Sequence, residues 1–173
     1  MRIDQPQRLL RRELRKLLPA NKDDVTAIRA IAAHGYPAVQ PILLDLLKWT
    51  RNESWPVAKP ICEFLVSIGP RLAPEALEVL GSGDDQLKAV VLRQIVSGWS
   101  SGDVSRLSSR LFLIATDGQS WGADLLALRL LAQHGIGDAE WITGWLVFKR
   151  EYHEKRLVEI EETLSILKGR GTA

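Results

Sequence analysis

The chain has 173 residues, of which 46% are apolar and 25% are charged, and its formal net charge is +2. This composition is typical of a single globular domain and excludes a disordered or fibrous protein. The longest uncharged apolar runs are well short of the roughly 20 residues that a membrane-spanning helix needs, and the single cysteine, Cys62, excludes an intramolecular disulfide.

The first predicted element is a basic helix over residues 6–18, which Pro19 ends. Its leucines share one face. The opposite face carries four arginines at helical spacing, Arg8, Arg11, Arg12 and Arg15. Residues 1–22 contain seven basic and two acidic side chains, so their net charge is +5 and that of the remaining chain is −3. We expect this helix to cap the fold, with its arginines available to a phosphate or an acidic partner.

A glycine that ends an apolar helix recurs four times, at Gly35, Gly69, Gly102 and Gly135, with steps of 34, 33 and 33 residues. Such a period indicates helical repeats, in which each pair of helices buries its apolar face against its neighbours. Alternation of β-branched residues between turn dipeptides, the pattern of strands, does not occur. We therefore predict an all-α fold of about four stacked helix pairs.

The first pair is predicted to begin at Asp23 or Asp24, either of which can accept a hydrogen bond from a free amide of the first helical turn. Its first helix ends at the first of the four glycines, which can adopt a left-handed conformation without steric cost. Its second helix is expected from Tyr36 to about Arg51, with a bend at Pro41.

The later pairs are placed by the same signals. The second pair is expected to open with Ser54 as the N-cap, and its second helix spans residues 73–80. The third pair opens at Asp84, and its second helix is expected over residues 103–117. The fourth pair is predicted to open at Ser120.

The last helix is predicted to be about twice as long as the others, from residue 138 to about 168, or roughly 46 Å. Two apolar stripes lie along it. The first consists of Trp141, Trp145, Phe148 and Tyr152, and the second of Leu157, Ile160, Leu164 and Leu167. The five-residue step between them predicts a kink, a turn near residues 151–156, or two stripes that face different neighbours.

Residues 35–69 contain a distinctive series of short motifs. In order they are Gly35-Tyr36-Pro37, Pro41-Ile42, Trp49, Trp55-Pro56-Val57-Ala58, Pro60-Ile61 and Ile68-Gly69. In these motifs the chain resembles a bacterial family of small HEAT-like proteins of unknown function, over about residues 23–118. The resemblance implies a helical-repeat fold and no particular activity. The chain departs from the family in the third repeat, where Leu87-Lys88-Ala89-Val90 replaces the aromatic residues that the family leads us to expect.

We therefore predict a single domain over residues 1–173. It would be a short right-handed solenoid of about four HEAT-like helical hairpins with an N-terminal capping helix and a long C-terminal helix. Residues 1–22 form the cap, residues 23–118 form three family-like pairs, and residues 119–173 form the fourth pair with its extended helix.

The histidines are the obvious candidates for catalysis, but His34 and His134 each precede a helix-ending glycine at the same repeat position. A histidine there can cap free carbonyls, so both are predicted to be structural. His153 is expected on a solvated helix face, and Cys62 is expected to be a buried small apolar residue. No HExxH, CxxC or phosphate-loop motif occurs. We expect no catalytic residue, no metal site and no cofactor.

The predicted partner site is the surface formed by the second helices of successive pairs. The residues expected on it are Asp45, Lys48, Trp49, Glu75, Glu78, Arg106 and Arg110. The chain holds six tryptophans, and Trp49 is the candidate for an exposed aromatic contact because it lies at the edge of the apolar face of its helix.

The sequence favours a non-enzymatic protein-binding module, most concretely a bacterial immunity or adaptor protein. Its mildly acidic body suits a basic protein partner. A cytoplasmic location is expected, because arginines interrupt the N-terminal leucines where a secretory signal needs a continuous apolar segment. The alternative is a nucleic-acid-binding repeat protein of the DNA-repair type that uses the basic N-terminal helix. A homo-oligomer through the C-terminal helix is also expected, because the second stripe needs a cover.

Overall fold

The computed structural model describes residues 11–117 and 122–170, and every regular element in those ranges is helical. In chain order the helices are α1 (11–15), α2 (Val25–His34), α3 (Leu43–Trp49), α4 (Ala58–Ile68), α5 (Ala73–Leu80), α6 (Asp85–Val90), α7 (Ser101–Ser105), α8 (Ser108–Ala115), α9 (Ala123–Gln133) and α10 (Ala139–Arg170). The all-α prediction is confirmed for this part of the chain. The predicted N-cap Ser120 and the phosphate-contact residue Arg8 lie outside the described residues.

Four short helical turns connect these elements in the described residues. Gln40–Ile42 and Gly69–Leu72 are 3₁₀ turns that lead into α3 and α5. Helix α6 continues through a π turn at Val91–Ile95, which we call the π segment, and then through a 3₁₀ turn at Val96–Gly98.

Aspartates start two of the predicted pairs. The carboxylate of Asp24 accepts a hydrogen bond from the amide of Ala27 at 3.3 Å, and the carboxylate of Asp84 accepts one from the amide of Leu87 at 3.0 Å. Hydrogen bonds from the Ala20 amide, the Thr26 hydroxyl and the Ala27 amide also lower the pKa of Asp24. Both predicted starts are confirmed, because the cap depends only on residues within one helical turn.

Two predicted helix starts were wrong, because in each place a proline moves the start of the helix to a later residue. Helix α3 begins at Leu43 and not at Tyr36, because Pro41 lacks the amide that an interior helical position must donate. Helix α4 begins at Ala58, so Ser54 is not its N-cap. The hydroxyl of Ser54 instead donates a hydrogen bond to the side-chain oxygen of Asn52 at 2.7 Å. The residue before a proline is disfavoured in the α region, and Pro56 therefore keeps the preceding turn from being helical.

The single helix predicted over residues 103–117 is also wrong, because the chain forms two helices there, α7 and α8. The hydroxyl of Ser100 accepts the amide of Asp103 at 3.3 Å and starts α7 early. The amides of Arg106 and Leu107 then bond carbonyls three residues back, which tightens the chain and ends α7.

Neighbouring pairs pack through matching helices. Among the first helices of the pairs, α2 contacts α4, α4 contacts the π segment, and α9 contacts both α6 and the π segment. Among the second helices, α3 contacts α5 and α5 contacts α8. Contacts of α3 with α4 and of α8 with α9 join the two sets. One contiguous aliphatic core runs between them from Leu14 to Ile142.

Helix α10 is a continuous helix of 32 residues, about 48 Å long. The turn predicted near residues 151–156 is wrong, since that segment contains neither proline nor glycine to interrupt the backbone hydrogen bonds. Only its first three turns pack on the body, where Ile142 and Lys149 are buried. Every described side chain from residue 150 to residue 168 is exposed. The second half of α10 therefore projects from the body.

A buried ion pair fixes α10 to the rest of the molecule. The ammonium group of Lys149 pairs with the carboxylate of Asp124 in α9 and also donates to the backbone carbonyl of Asp117 at 3.0 Å. Lys149 is 5% exposed and Asp124 is 8% exposed. At the start of α10, the carboxylate of Asp138 accepts the amide of Trp141 at 2.8 Å.

We predict that Lys149→Ala lowers the free energy of unfolding by about 3 kcal/mol, because the carboxylate of Asp124 then stays buried without its lysine. Arg150→Ala is the control, because Arg150 follows Lys149 in α10 and its side chain is exposed. Its free energy of unfolding should change by no more than about 0.5 kcal/mol. Urea denaturation followed by circular dichroism measures both values. Equal stability of the two variants would show that the ion pair does not hold α10.

Candidate protein-interaction surface

The second helices α3, α5 and α8 lie side by side, so the structure brings together the elements of the predicted partner surface. Its residues differ in exposure. Lys48, Glu78 and Arg106 are exposed, whereas Asp45, Trp49, Glu75 and Arg110 are partly buried. The row carries charges of both signs. This surface is therefore not a uniformly acidic face for a basic partner.

Asp45 is already paired within the chain. Its carboxylate accepts two hydrogen bonds from Arg15, from Nε at 2.9 Å and from Nη2 at 3.2 Å, and Arg11 lies 3.7 Å away. The hydrogen bond and the charge of Asp45 raise the pKa of Arg15. One residue of the predicted partner surface is thus neutralised by two arginines of the predicted basic helix. Arg12 remains exposed.

Trp49 packs against Trp55 with ring centroids 5.7 Å apart, so it is half-buried and not the exposed aromatic contact that the sequence predicted. The two tryptophans are close because the turn before α4 brings Trp55 back toward the end of α3. The Trp55 ring therefore covers part of the apolar area of Trp49 that a partner could otherwise bury.

Glu75 and Glu78 lie on α5, Arg106 is at the end of α7, and Arg110 lies on α8. Burial is the main cause of the raised pKa of Glu75, and the charge of Glu78 acts in the same direction. Arg106 lies 3.6 Å from Asp103. The guanidinium group of Arg110 lies over Gly81, where an added Cβ would meet its Nη2 atom at 3.2 Å.

The histidines do not form a catalytic group. Nδ1 of His134 lies 3.0 Å from the hydroxyl of Ser101, which contributes to the contact between α9 and α7. His34 and His153 are exposed on different helices. Among the described residues, no group of three or more His, Cys, Asp or Glu side chains could hold a metal ion.

A shallow groove of about 410 Å³ lies between α4 and the π segment. Cys62 lines it, and burial raises the pKa of the Cys62 thiol to about 11, with smaller contributions from the charges of Glu53 and Glu63. Glu53 is paired with Arg93 and accepts a hydrogen bond from Gln94 at 3.0 Å. The raised pKa keeps the thiol mostly protonated near neutral pH.

A run of aromatic side chains that is exposed at one end lies on α8 and α10. We call it the aromatic ridge, and its members are Phe112, Trp141, Trp145, Phe148 and Tyr152. Successive ring centroids are 5.0 Å apart from Phe112 to Trp141, 6.1 Å from Trp141 to Trp145 and 5.6 Å from Trp145 to Phe148. The rings meet edge to face or tilted, the arrangements that their quadrupoles favour.

The ridge begins half-buried and ends exposed. Trp141 and Trp145 pack against the core, whereas Phe148 is 58% and Tyr152 is 46% exposed. Gly144 leaves an open apolar groove of about 370 Å³ beside the rings of Trp141, Trp145 and Phe148. A protein partner could insert an apolar side chain there.

Local backbone geometry positions the base of the ridge. Gly137 has a φ of +92°, and a Cβ built there would lie 2.6 Å from Cζ of Phe112. Only glycine lets the Phe112 ring pack over the turn before α10. The sequence showed the stripe at residues 141, 145, 148 and 152, but not that half of it stays uncovered.

A second exposed surface lies farther along α10. We call it the distal stripe, and its members are Leu157, Ile160, Leu164 and Leu167. All four are exposed by about half or more. Of the outcomes that the sequence left open, the two stripes do face different surroundings. In the described residues, no helix is both long enough and apolar enough to cross a membrane.

Substitutions along the ridge should separate a binding role from a structural one. We predict that Trp141→Ala lowers the free energy of unfolding by about 2 kcal/mol, because Trp141 fills space between Phe112 and the core. Phe148→Ala should change it by less than about 0.5 kcal/mol, since the ring is mostly exposed. Thermal or urea denaturation measures both. If Phe148→Ala lowers the free energy of unfolding as much as Trp141→Ala does, the whole ridge has a structural role.

Alkylation of Cys62 should depend steeply on pH. The rise of its pKa from 9.0 to about 11 lowers the thiolate fraction at pH 8 by about 100-fold, so iodoacetamide should react slowly. The rate should increase about tenfold per pH unit between pH 8 and pH 10, as the thiolate forms. The same chain in guanidinium chloride is the control. Equal rates for folded and unfolded protein at pH 8 would contradict the shift.

One comparison with known proteins assigns a family. The model of a domain of unknown function, DUF5071, matches residues 17–125, which is more than half of the chain. The match includes residues 23–118, where the sequence resembles a family without assigned function, and extends beyond them at both ends. No curated protein matches the chain. The chain therefore belongs to the DUF5071 family.

Proposed function

We propose that this chain is a non-enzymatic protein-binding module, built as a short right-handed solenoid of HEAT-like helix pairs. Contacts one repeat apart support the stacking. Arg51 donates to Asp84 at 2.8 Å, and Ser101 contacts His134 at 3.0 Å, and both pairs are separated by 33 residues in sequence. Repeats that contact only their neighbours are the rule in solenoids.

The observation that carries the binding proposal is the exposed end of the aromatic ridge. Aromatic side chains in a series, partly buried at one end and exposed at the other, form the anchors that protein partners bury. Phe148 and Tyr152 do not close the core, because the body ends near Lys149. The ridge replaces the row of second helices as the surface that we propose for the partner. Several groups of that row are already engaged elsewhere in the chain: Asp45 with Arg15, Trp49 with Trp55, and Arg106 with Asp103.

The concrete form that we propose is a bacterial immunity or adaptor protein in the cytoplasm. The net charge of −3 over residues 23–173 supports a basic protein partner, with the charge steering the encounter and the ridge supplying the apolar contact. A lone, half-buried cysteine is compatible with a reducing compartment.

Nucleic-acid binding is the alternative, and the ion pairs at the N-terminus argue against it. Arg15 and Arg11 lie against Asp45, so a phosphate would have to compete with a carboxylate for them. Affinity for nucleic acid grows with the number of phosphates that are neutralised. Of the three arginines of this face that the structure describes, two already lie against a carboxylate.

The test uses co-expression of the full chain with the product of the adjacent gene, followed by affinity purification. We expect wild-type protein to retain the partner and the double variant Phe148→Ser, Tyr152→Ser to lose at least about tenfold in affinity. Val158→Ser, Ile166→Ser is the matched control, because those side chains are also exposed on α10 but lie off the ridge.

Two results would contradict the proposal. One is equal retention by the ridge variant and the control, which would exclude the ridge as the binding surface. The other is tight, salt-sensitive binding to duplex DNA that Arg12→Ala weakens, since it would favour the nucleic-acid alternative.

A further inference from the structure

Among the described residues, no other helix covers the projecting half of α10. Its described side chains from residue 150 to residue 168 are all exposed, and isolated helices of that length are marginal in water. Within the helix, Arg150 lies 3.7 Å from Glu154 and Arg156 lies 3.4 Å from Glu159, and such exposed pairs contribute little. A cover for the distal stripe would supply the missing support.

The spacing of the distal stripe is that of a coiled coil. Leu157, Ile160, Leu164 and Leu167 follow one another by three, four and three residues, which places them at heptad positions a, d, a and d. The same phase places Leu146 at a d position two heptads before Ile160. A helix with the same pattern is the natural cover for such a seam.

One partner helix cannot cover both surfaces of α10. At 3.6 residues per turn, the centre of the aromatic ridge and that of the distal stripe are about 110° apart around the helix axis. A coiled-coil seam drifts by only about 20° per heptad. The distal stripe therefore needs an occupant different from the one on the ridge.

We propose that this occupant is a second copy of the chain, in a parallel coiled coil. Charge complementarity supports the parallel orientation. Arg156 occupies a g position and Glu161 the following e position, which face each other across a parallel pair and form two equivalent ion pairs. An antiparallel pair that aligns all four apolar layers would place Glu161 opposite Glu161 of the second copy, which is repulsive.

The size of the seam sets the strength of association. Four half-exposed aliphatic side chains per copy cover less than the about 800 Å² per partner of a standard interface. Association is therefore reversible and measurable at micromolar concentrations. Leucine at a with isoleucine at d also suits bundles of more than two strands, so the stoichiometry has to be measured.

The first experiment is sedimentation velocity of the full chain over the micromolar range. Wild-type protein should associate as its concentration rises, and Ile160→Glu should remain monomeric. Val158→Glu is the matched control, because Val158 is equally exposed but lies on the opposite side of α10, and it should behave as wild type. Both substitutions are outside the core, so unchanged thermal unfolding of the body will show that the variants are folded.

The second experiment tests the orientation by air oxidation in a Cys62→Ser background. His153→Cys places a thiol at a d position, where the two copies of a parallel pair face each other within disulfide distance. It should form a covalent dimer, whereas Lys155→Cys, at the outward f position, should not. Strictly monomeric wild type, or cross-linking of both cysteine variants to the same extent, would overturn the proposal.

Discussion

The body of this protein depends on helices that are too short to be stable alone. Helices α2 to α9 contain between five and eleven residues, whereas an isolated helix in water needs about 12 to 15 even to be marginal. Each helix therefore exists only because a neighbour covers its apolar face. The shared core from Leu14 to Ile142 is the result. Removing a helix from the middle of this arrangement would expose the apolar faces of the neighbours on both of its sides.

Helix α10 is the exception to this mutual cover. Its first turns obey the rule, because Ile142 and Lys149 are buried against α9 and its surroundings, and the ion pair with Asp124 fixes the depth at which it docks. Beyond that pair the body ends and the helix continues for about six further turns. The aromatic ridge and the distal stripe are exposed for this single reason, and both proposed interactions follow from it.

Much of the fold could be predicted where the deciding chemistry is local. The caps at Asp24 and Asp84 and the length of α10 depend on residues within a turn or on the absence of proline, and the sequence displays these directly. Predictions failed where two local signals competed. Ser54 is a good N-cap residue, but Pro56 two positions later excludes the helical turn that it would cap. The second helices α3, α5 and α8 are neighbours, yet the pairing of Asp45 with Arg15 across 30 residues had no local signal.

The sequence by itself determined the helical class and which face of each helix is apolar, because these are properties of residue spacing. Only the tertiary structure decided which apolar faces are covered and which charges are already paired. Periodicity states that a face avoids water but not what lies against it. Trp49 and Phe148 both stand on apolar stripes, and the packing of Trp55 covers the first while the end of the body leaves the second exposed.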